Sequence, residues 1–253
     1  MSKEYLQQAI KDQEGQGRRV LEEDIASHVL QLTTELSTFE DSATMHKKFL
    51  DAACEDPFPL NSTVCVKIKA VRALLVTALE DFRRLQMWIK LQVPAMSDGN
   101  NFGVEVQGAI LGQLSASHSA LRGLLDSFLD YHCSRSGAVD KVRKLLKKNV
   151  KQTQRRSEKE DGSSNDGKED KKEVKTKDSS HDQTQDETVN ESLGNPDATE
   201  YIADFDTHAY QRLRWALEEA RDHYLYAWDY VGKNLSRLEK PRGTGSASSM
   251  YGY

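Results

Sequence analysis

The chain predicts an all-α protein, a long four-helix bundle in a single domain spanning residues 1–253. Three observations lead there. Apolar residues recur at steps of three and four along four separate stretches, the spacing that puts side chains on one face of a helix. No stretch shows convincing strand alternation, and clusters of Pro, Gly, Asn and Asp separate the periodic runs as turn residues do. Helices of 30 residues or more would be about 45 Å long.

The first helix is expected over residues 2–50. Leu6 and Ile10 open its stripe, and Leu21, Ile25, Val29, Leu32, Leu36 and Phe39 continue it. Gly15 and Gly17 lie between, each costing roughly 1 kcal/mol in a helix interior, so a kink or a frayed first segment is expected there. Asp56-Pro57-Phe58-Pro59 cannot stay helical, and Asn61-Ser62-Thr63 offers N-cap residues for the second helix, residues 62–92. Its apolar positions, Val64, Ile68, Val71, Leu75, Ala78, Phe82, Leu85 and Ile89, keep a strict heptad, a seam that wants a neighbour crossing at a shallow angle.

The third helix, residues 104–150, shows Ile110, Leu114, Leu121, Leu124, Phe128, Tyr131, Ala138, Val142 and Leu145, with Ser117 and Arg135 interrupting the seam. Ala109, Gly112, Ser115, Ala116, Ser119 and Gly123 make one side of its first half small enough for close approach. Lys141, Arg143, Lys144, Lys147, Lys148 and Lys151 make its end basic, which the helix macrodipole favours. Residues 152–197 contain almost no aliphatic side chains, so a disordered, solvated loop is expected. The fourth helix, residues 198–240, buries Ile202, Phe205, Ala209, Leu213, Ala216, Ala220, Tyr224, Ala227, Val231, Leu235 and Leu238. Trp215, Tyr226, Trp228 and Tyr230 lie off that face, an aromatic surplus that suits contact with another subunit. Pro241 ends the helix, and a flexible tail, residues 241–253, follows.

Composition narrows the function. A net charge of −5 with both signs abundant disfavours a phosphate-backbone binder, so no nucleic-acid partner is expected. No run approaches the roughly 18–20 apolar residues of a membrane span, and residues 1–16 lack the apolar core of a secretory signal. The protein is therefore expected to be soluble and intracellular, with no membrane partner. The three cysteines, Cys54, Cys65 and Cys133, form no CxxC pair, which fits a reducing compartment better than a disulfide framework. Gly15-Gln16-Gly17 lacks the third glycine and the βαβ setting of a dinucleotide fingerprint. Glu219 and His223 stand one turn apart on one helix, better read as a hydrogen-bonded pair than as half of a diiron site. No catalytic residue, metal site or cofactor is expected, and the chain is read as a non-enzyme.

The segment Leu85–Gln107, LQMWIKLQVPAMSDGNNFGVEVQ, is the most informative. Pro94 breaks the helix and biases Val93 away from helical geometry. Ser97-Asp98-Gly99-Asn100-Asn101 then supplies side chains that bond their own backbone. This wording resembles the activation loop joining the second and third helices of the eleven-S (REG) family of proteasome activators. A second match, Lys233-Asn234, Leu238, then Lys240-Pro241-Arg242-Gly243 and a polar tail closing on Tyr, is similar to that family's last helix and proteasome-binding C-terminus. A third, weaker match is Tyr131–Lys144.

The resemblance implies a heptameric ring, a homoheptamer, that docks on the α subunits of the 20S proteasome and opens its gate without ATP. It implies that Asp98, Gly99, Asn100, Asn101, Phe102 and Gly103 form the activation loop, residues 94–103. Met250, Tyr251, Gly252 and Tyr253 would be the docking tail, its terminal carboxylate meeting an α-subunit lysine. Lys240, Pro241 and Arg242 would form the motif at the end of the fourth helix. Such a protein works in the cytoplasm, the nucleus or both; Lys147-Lys148 with Arg155-Arg156 leans towards the nucleus. The tail's Met-Tyr-Gly-Tyr ending and a charged tract placed between the third and fourth helices depart from familiar members. A non-enzymatic helical scaffold, using the basic end of the third helix on a membrane surface or partner helix, is the competing reading. The activator reading demands that loop and tail share one end of the molecule.

Overall fold

The computed structural model describes residues 3–54, 58–99, 101–161 and 196–242, and no strand occurs among them. The elements are α1 (Lys3–Arg19), a π-helical turn (Val20–Asp24), α2 (Ile25–Ser37), α3 (Ser42–Ala53), α4 (Ser62–Leu91), α5 (Phe102–Ser127), α6 (Tyr131–Asp161), α7 (Pro196–Lys233) and α8 (Leu235–Glu239). They make four rods, the first, third and fourth of them segmented. α4 is the centre, touching α1, α5 and α7.

Its heptad explains that position. All eight residues of the seam, Val64 to Ile89, are buried, facing Leu21, Ile25 and Leu32 of the first rod, Ile110, Leu114 and Leu121 of α5, and Leu213, Ala216, Leu217, Ala220, Tyr224 and Ala227 of α7. Asn61 caps α4, its side chain accepting from Val64 N at 3.1 Å, and offsets one of the orphan N–H groups of a helix start.

The first rod departs from the expected single helix over residues 2–50. Gly15 and Gly17 do not kink it. A Cβ on Gly17 would overlap Trp88 Cβ and lie 2.8 Å from the Arg84 carbonyl oxygen, so glycine permits close contact with α4. The irregularity falls after it, at the π-helical turn, and the rod ends altogether at Ser37. Thr33, Thr34, Ser37 and Thr38 hydroxyls donate to carbonyls three or four residues back, competing with the ladder. Asp41 then starts α3 by accepting from Thr44 N at 2.9 Å. Leu6 and Ile10, expected to open the stripe, are exposed. α1 runs antiparallel to α4 with Gly17 opposite Trp88 and Glu14 opposite Gln92, so Leu6 and Ile10, two turns and one turn before Glu14, extend past the end of α4.

The third rod breaks at 128–130, where turn hydrogen bonds replace the helix, and resumes to Asp161. Residues 152–161, expected in the charged loop, are therefore helical, while residues 162–195 of that loop lie outside the described residues. Leu145, expected on the seam, is exposed, because α6 pairs with α7 through Ala138, Val139, Val142, Ala198 and Ile202 and α7 starts at Pro196. The fourth rod starts at Pro196, two residues before the expected 198, and breaks at Asn234 before the short α8.

Neither polar interruption of the third seam is simply solvated. Ser117 is 1% exposed, and Arg135 donates Nε to Asp206 Oδ1 at 2.9 Å and Nη2 to Oδ2 at 3.0 Å. Asp206 also accepts from Tyr131 at 2.8 Å and from Asn61 at 3.0 Å. Halfway along the bundle, buried Asp81 accepts from the Tyr224 hydroxyl at 2.6 Å and lies 2.6 Å from His28 Nδ1. Burial, with the carboxylate beside each, pushes the Tyr131 and Tyr224 hydroxyls well above the ordinary tyrosine range.

Candidate functional site

Opposite the Asp206 cluster, α4 ends at Leu91 with Gln92 as its cap, and the chain turns through residues 93–101 into α5. Val93, Met96, Asp98, Gly99 and Asn101 are exposed, Met96 completely. Gly99 has φ +126°, a conformation that side chains resist, so the expected loop glycine answers a backbone demand. Asn100 lies outside the described residues. Asn101 accepts through its carbonyl from Val104 N at 2.9 Å and Glu105 N at 3.0 Å, holding the first turn of α5, and its side chain makes no cap bond. Phe102 opens α5, 55% exposed, with the Arg237 guanidinium of α8 5.0 Å from its ring centroid.

Gly103 faces inward, and a Cβ there would collide with the Pro241 carbonyl and Cα. The loop motif and the Lys240-Pro241-Arg242 motif therefore touch, although about 140 residues separate them in sequence. Lys240 is exposed, and Pro241 and Arg242 are partly covered. Met250, Tyr251, Gly252 and Tyr253 lie outside the described residues, so the structure places the root of the tail and not its tip.

One turn further along α5, Gln107 is completely buried. Its Nε2 donates to Leu238 O at 2.8 Å and to Gln92 O at 3.2 Å. Both acceptors belong to helix ends, where carbonyls lack intrahelical partners and the macrodipole is negative. Two carbonyls require N–H donors, so the amide's orientation follows from them. Its Oε1 is buried without a hydrogen-bond partner, a condition that costs about 1–3 kcal/mol. Around this amide, Gln92 Nε2 reaches Glu14 Oε1 at 3.4 Å and Arg18 pairs with Glu239. Four chain segments thus meet at one end: the end of α1, the end of α4, the start of α5, and α8.

Gln107, Gln92 and Arg237 carry no assigned role in the sequence reading. Gln107 had a signal, because the step from Gly103 through Gln107 to Ile110 and Leu114 puts an amide on an otherwise apolar seam. Elsewhere, His46 Nε2 lies 3.0 Å from Asp204 and 3.3 Å from Glu200. These three could hold a metal ion, but the carboxylates are exposed and the direct contacts already serve the imidazole.

Comparison with known proteins places this arrangement. The family model "Proteasome activator PA28, C-terminal" matches residues 57–164 and 181–248. The chain belongs to the PA28 family. Proteasome activator 28 of Dictyostelium discoideum is 23% identical over 219 residues, covering 84% of this chain and 76% of that protein. Human proteasome activator complex subunit 3 is 24% identical over 227 residues, covering 83% and 69%. The fold matches the 11S subunit of the Plasmodium falciparum proteasome, PA28, with a TM-score of 0.63 at 16% identity over 95% and 94% of the two chains. It matches a chain of the archaeal 20S proteasome–PA26 complex with a TM-score of 0.62 at 14% identity over 98% and 100%. The PA28 match takes in both the loop and Lys240-Pro241-Arg242, and ends before Met250.

Proposed function

We propose that this PA28-family chain is an ATP-independent activator of the 20S proteasome that acts as a homoheptameric ring and has no catalytic activity of its own. The observation that carries the reading is the contact of Gly103 with Pro241. A loop that works the gate and a tail that grips the α ring must reach one surface together, and here loop and tail root are neighbours.

In this reading residues 250–253 supply affinity. One short tail binds weakly, but several on a ring matched to the α ring bind together through effective concentration. Asp98, Gly99, Asn100, Asn101, Phe102 and Gly103 press on the α-subunit turns that hold the gate closed. Trp215, Tyr226 and Trp228 on α7, exposed in the single chain, and the small residues Gly108, Gly112 and Gly123 on α5, with open space around each, support subunit contacts. Identical head-to-tail contacts close into a ring. The free cysteines suit a reducing compartment, cytoplasm or nucleus, and no described helix is long and apolar enough to cross a membrane.

The test is stimulation of short fluorogenic peptide hydrolysis by 20S proteasome. The full chain raises hydrolysis and runs at about seven times 28.6 kDa by native mass. Deleting residues 250–253 removes binding. Asn101→Tyr leaves binding intact and removes stimulation. Full stimulation by the tail deletion would overturn the docking assignment.

A further inference from the structure

The proposed division of labour leaves open how a grip exerted by the tail becomes a push delivered by the loop. Between them stands a side chain with no part in either. Gln107 is sealed from solvent, and its amide holds the last carbonyls of two helices, Gln92 O at the end of α4 and Leu238 O in α8. Gln92 is where the loop departs, α8 is where the tail departs, and α5, which carries Gln107, is where the loop returns. One amide therefore fixes all three anchor points of the site relative to each other.

Packing beside it works in the same direction. Pro241 is seated on Gly103, one turn before Gln107 on the same helix, and Arg237 covers the Phe102 ring. These contacts seat α8 and the tail root against α5, and the Gln107 bonds tie α8 to the end of α4. An apolar residue would fill the same space but leave Gln92 O and Leu238 O without this donor. Burying open acceptors is unfavourable for stability, so glutamine here answers a need of two helix ends that packing alone does not meet, although its own Oε1 stays unpartnered.

We propose that Gln107 is a positioning residue. It sets the height of the activation loop over the tail root, so that docking of the tail presents the loop to the proteasome at working height. The inference rests on the activator reading above. Loss of the amide would leave a ring that docks normally but carries loops no longer held in register with its tails.

The test uses the full chain and 20S proteasome, reading half-maximal activator concentration and plateau peptide hydrolysis separately. Gln107→Met keeps the side chain's length and burial and removes both donors. Its plateau is expected to fall at least fivefold, with half-maximal concentration within threefold of wild type and native mass unchanged. Amides of residues 95–104 should exchange faster in the free ring, while those of α4 do not. Gln107→Asn, one methylene short and able to reach one carbonyl, should give an intermediate plateau and serves if the Met variant assembles poorly. A Gln107→Met plateau equal to wild type overturns the inference. So does a parallel fall of plateau, affinity and native mass, which marks a purely structural residue. Absence of stimulation by the wild-type ring would instead sink the activator reading itself.

Discussion

The two ends of the bundle, about 45 Å apart along the 30 residues of α4, treat buried polar groups in opposite ways. At the far end the Asp206 carboxylate accepts from Arg135, Tyr131 and Asn61, and Arg135 has a further acceptor in Pro59 O at 2.9 Å. The start of α4, α6 and α7 are locked by one anion whose acceptor capacity is filled. At the loop end four segments meet around a neutral amide with one atom left unpartnered, bordered by an exposed loop with a positive-φ glycine. Coulomb attraction in a dry setting makes the first junction stiff. Neutral hydrogen bonds worth about 0.5–1.5 kcal/mol each hold the second. The difference separates a clamp that keeps the helices together from a junction held by weaker bonds.

The largest effect should come from breaking the clamp. Arg135→Ala leaves Asp206, 3% exposed, without its cation, and removal of one partner of a buried pair costs about 3–5 kcal/mol. Urea denaturation followed by circular dichroism should show that loss as a lower midpoint. Variants that stay assembled should still stimulate the proteasome, since the damage lies a bundle length from the loop. A midpoint close to wild type would make the two ends equivalent and remove the contrast.

Much of this was legible in the sequence, and the gaps have physical causes. The α4 heptad is legible because a central helix must be apolar on the face it buries, and Asn61 is legible as a cap because capping is local. The break at 128–130 was hidden. Phe128, Tyr131, Arg135, Ala138 and Val142 keep the stride of three and four straight through it, so nothing in the periodicity marks it. Arg135 looked like a defect because its partner Asp206 lies on another rod. Asp41 caps α3 through Thr44 N, local chemistry that the apolar stripe of residues 21–39 obscured. The loop and tail motifs could be recognised separately, but their contact depends on Gly103 and Pro241 meeting across the fold, which no local pattern encodes.

A pair of glycines gives a sharper comparison inside the loop end, with a smaller expected effect. A Cβ at Gly15 meets nothing within 4 Å, whereas one at Gly17 overlaps Trp88. Gly15→Ala should stabilise the chain by about 0.5–1 kcal/mol by reducing unfolded-state freedom. Gly17→Ala should destabilise it by about 1–3 kcal/mol, because α1 must back away from a well-packed α4. Thermal midpoints of the two variants should therefore move in opposite directions. Equal shifts would mean that α1 is not seated against Trp88, and that the loop end has fewer anchors than the contacts of Glu14 and Arg18 indicate.

The smallest effect offers a direct reading of how closed the far end is. Cys65 lies near Arg135 and Asp206, partly covered, whereas Cys54 and Cys133 are exposed. Burial pushes its thiol above the usual cysteine range, outweighing the lowering by Arg135. Since the thiolate is the reactive species, a raised value means less of it at neutral pH, and limited access slows reaction further. Cys65 should be the slowest of the three to alkylate with iodoacetamide, followed by mass spectrometry of the digested protein. Arg135→Ala supplies the discriminating case. Loss of the cation by itself makes the thiol less acidic and slows labelling, while loosening of the clamp exposes it and speeds labelling. If the clamp is what closes this end, opening wins and Cys65 labels faster in the variant, whereas Gly17→Ala, acting at the other end, leaves its rate unchanged. A slower rate in Arg135→Ala would mean that the apolar cluster of Ala53, Phe58, Ala138, Val139, Val142 and Ile202 keeps the far end shut without the ion pair.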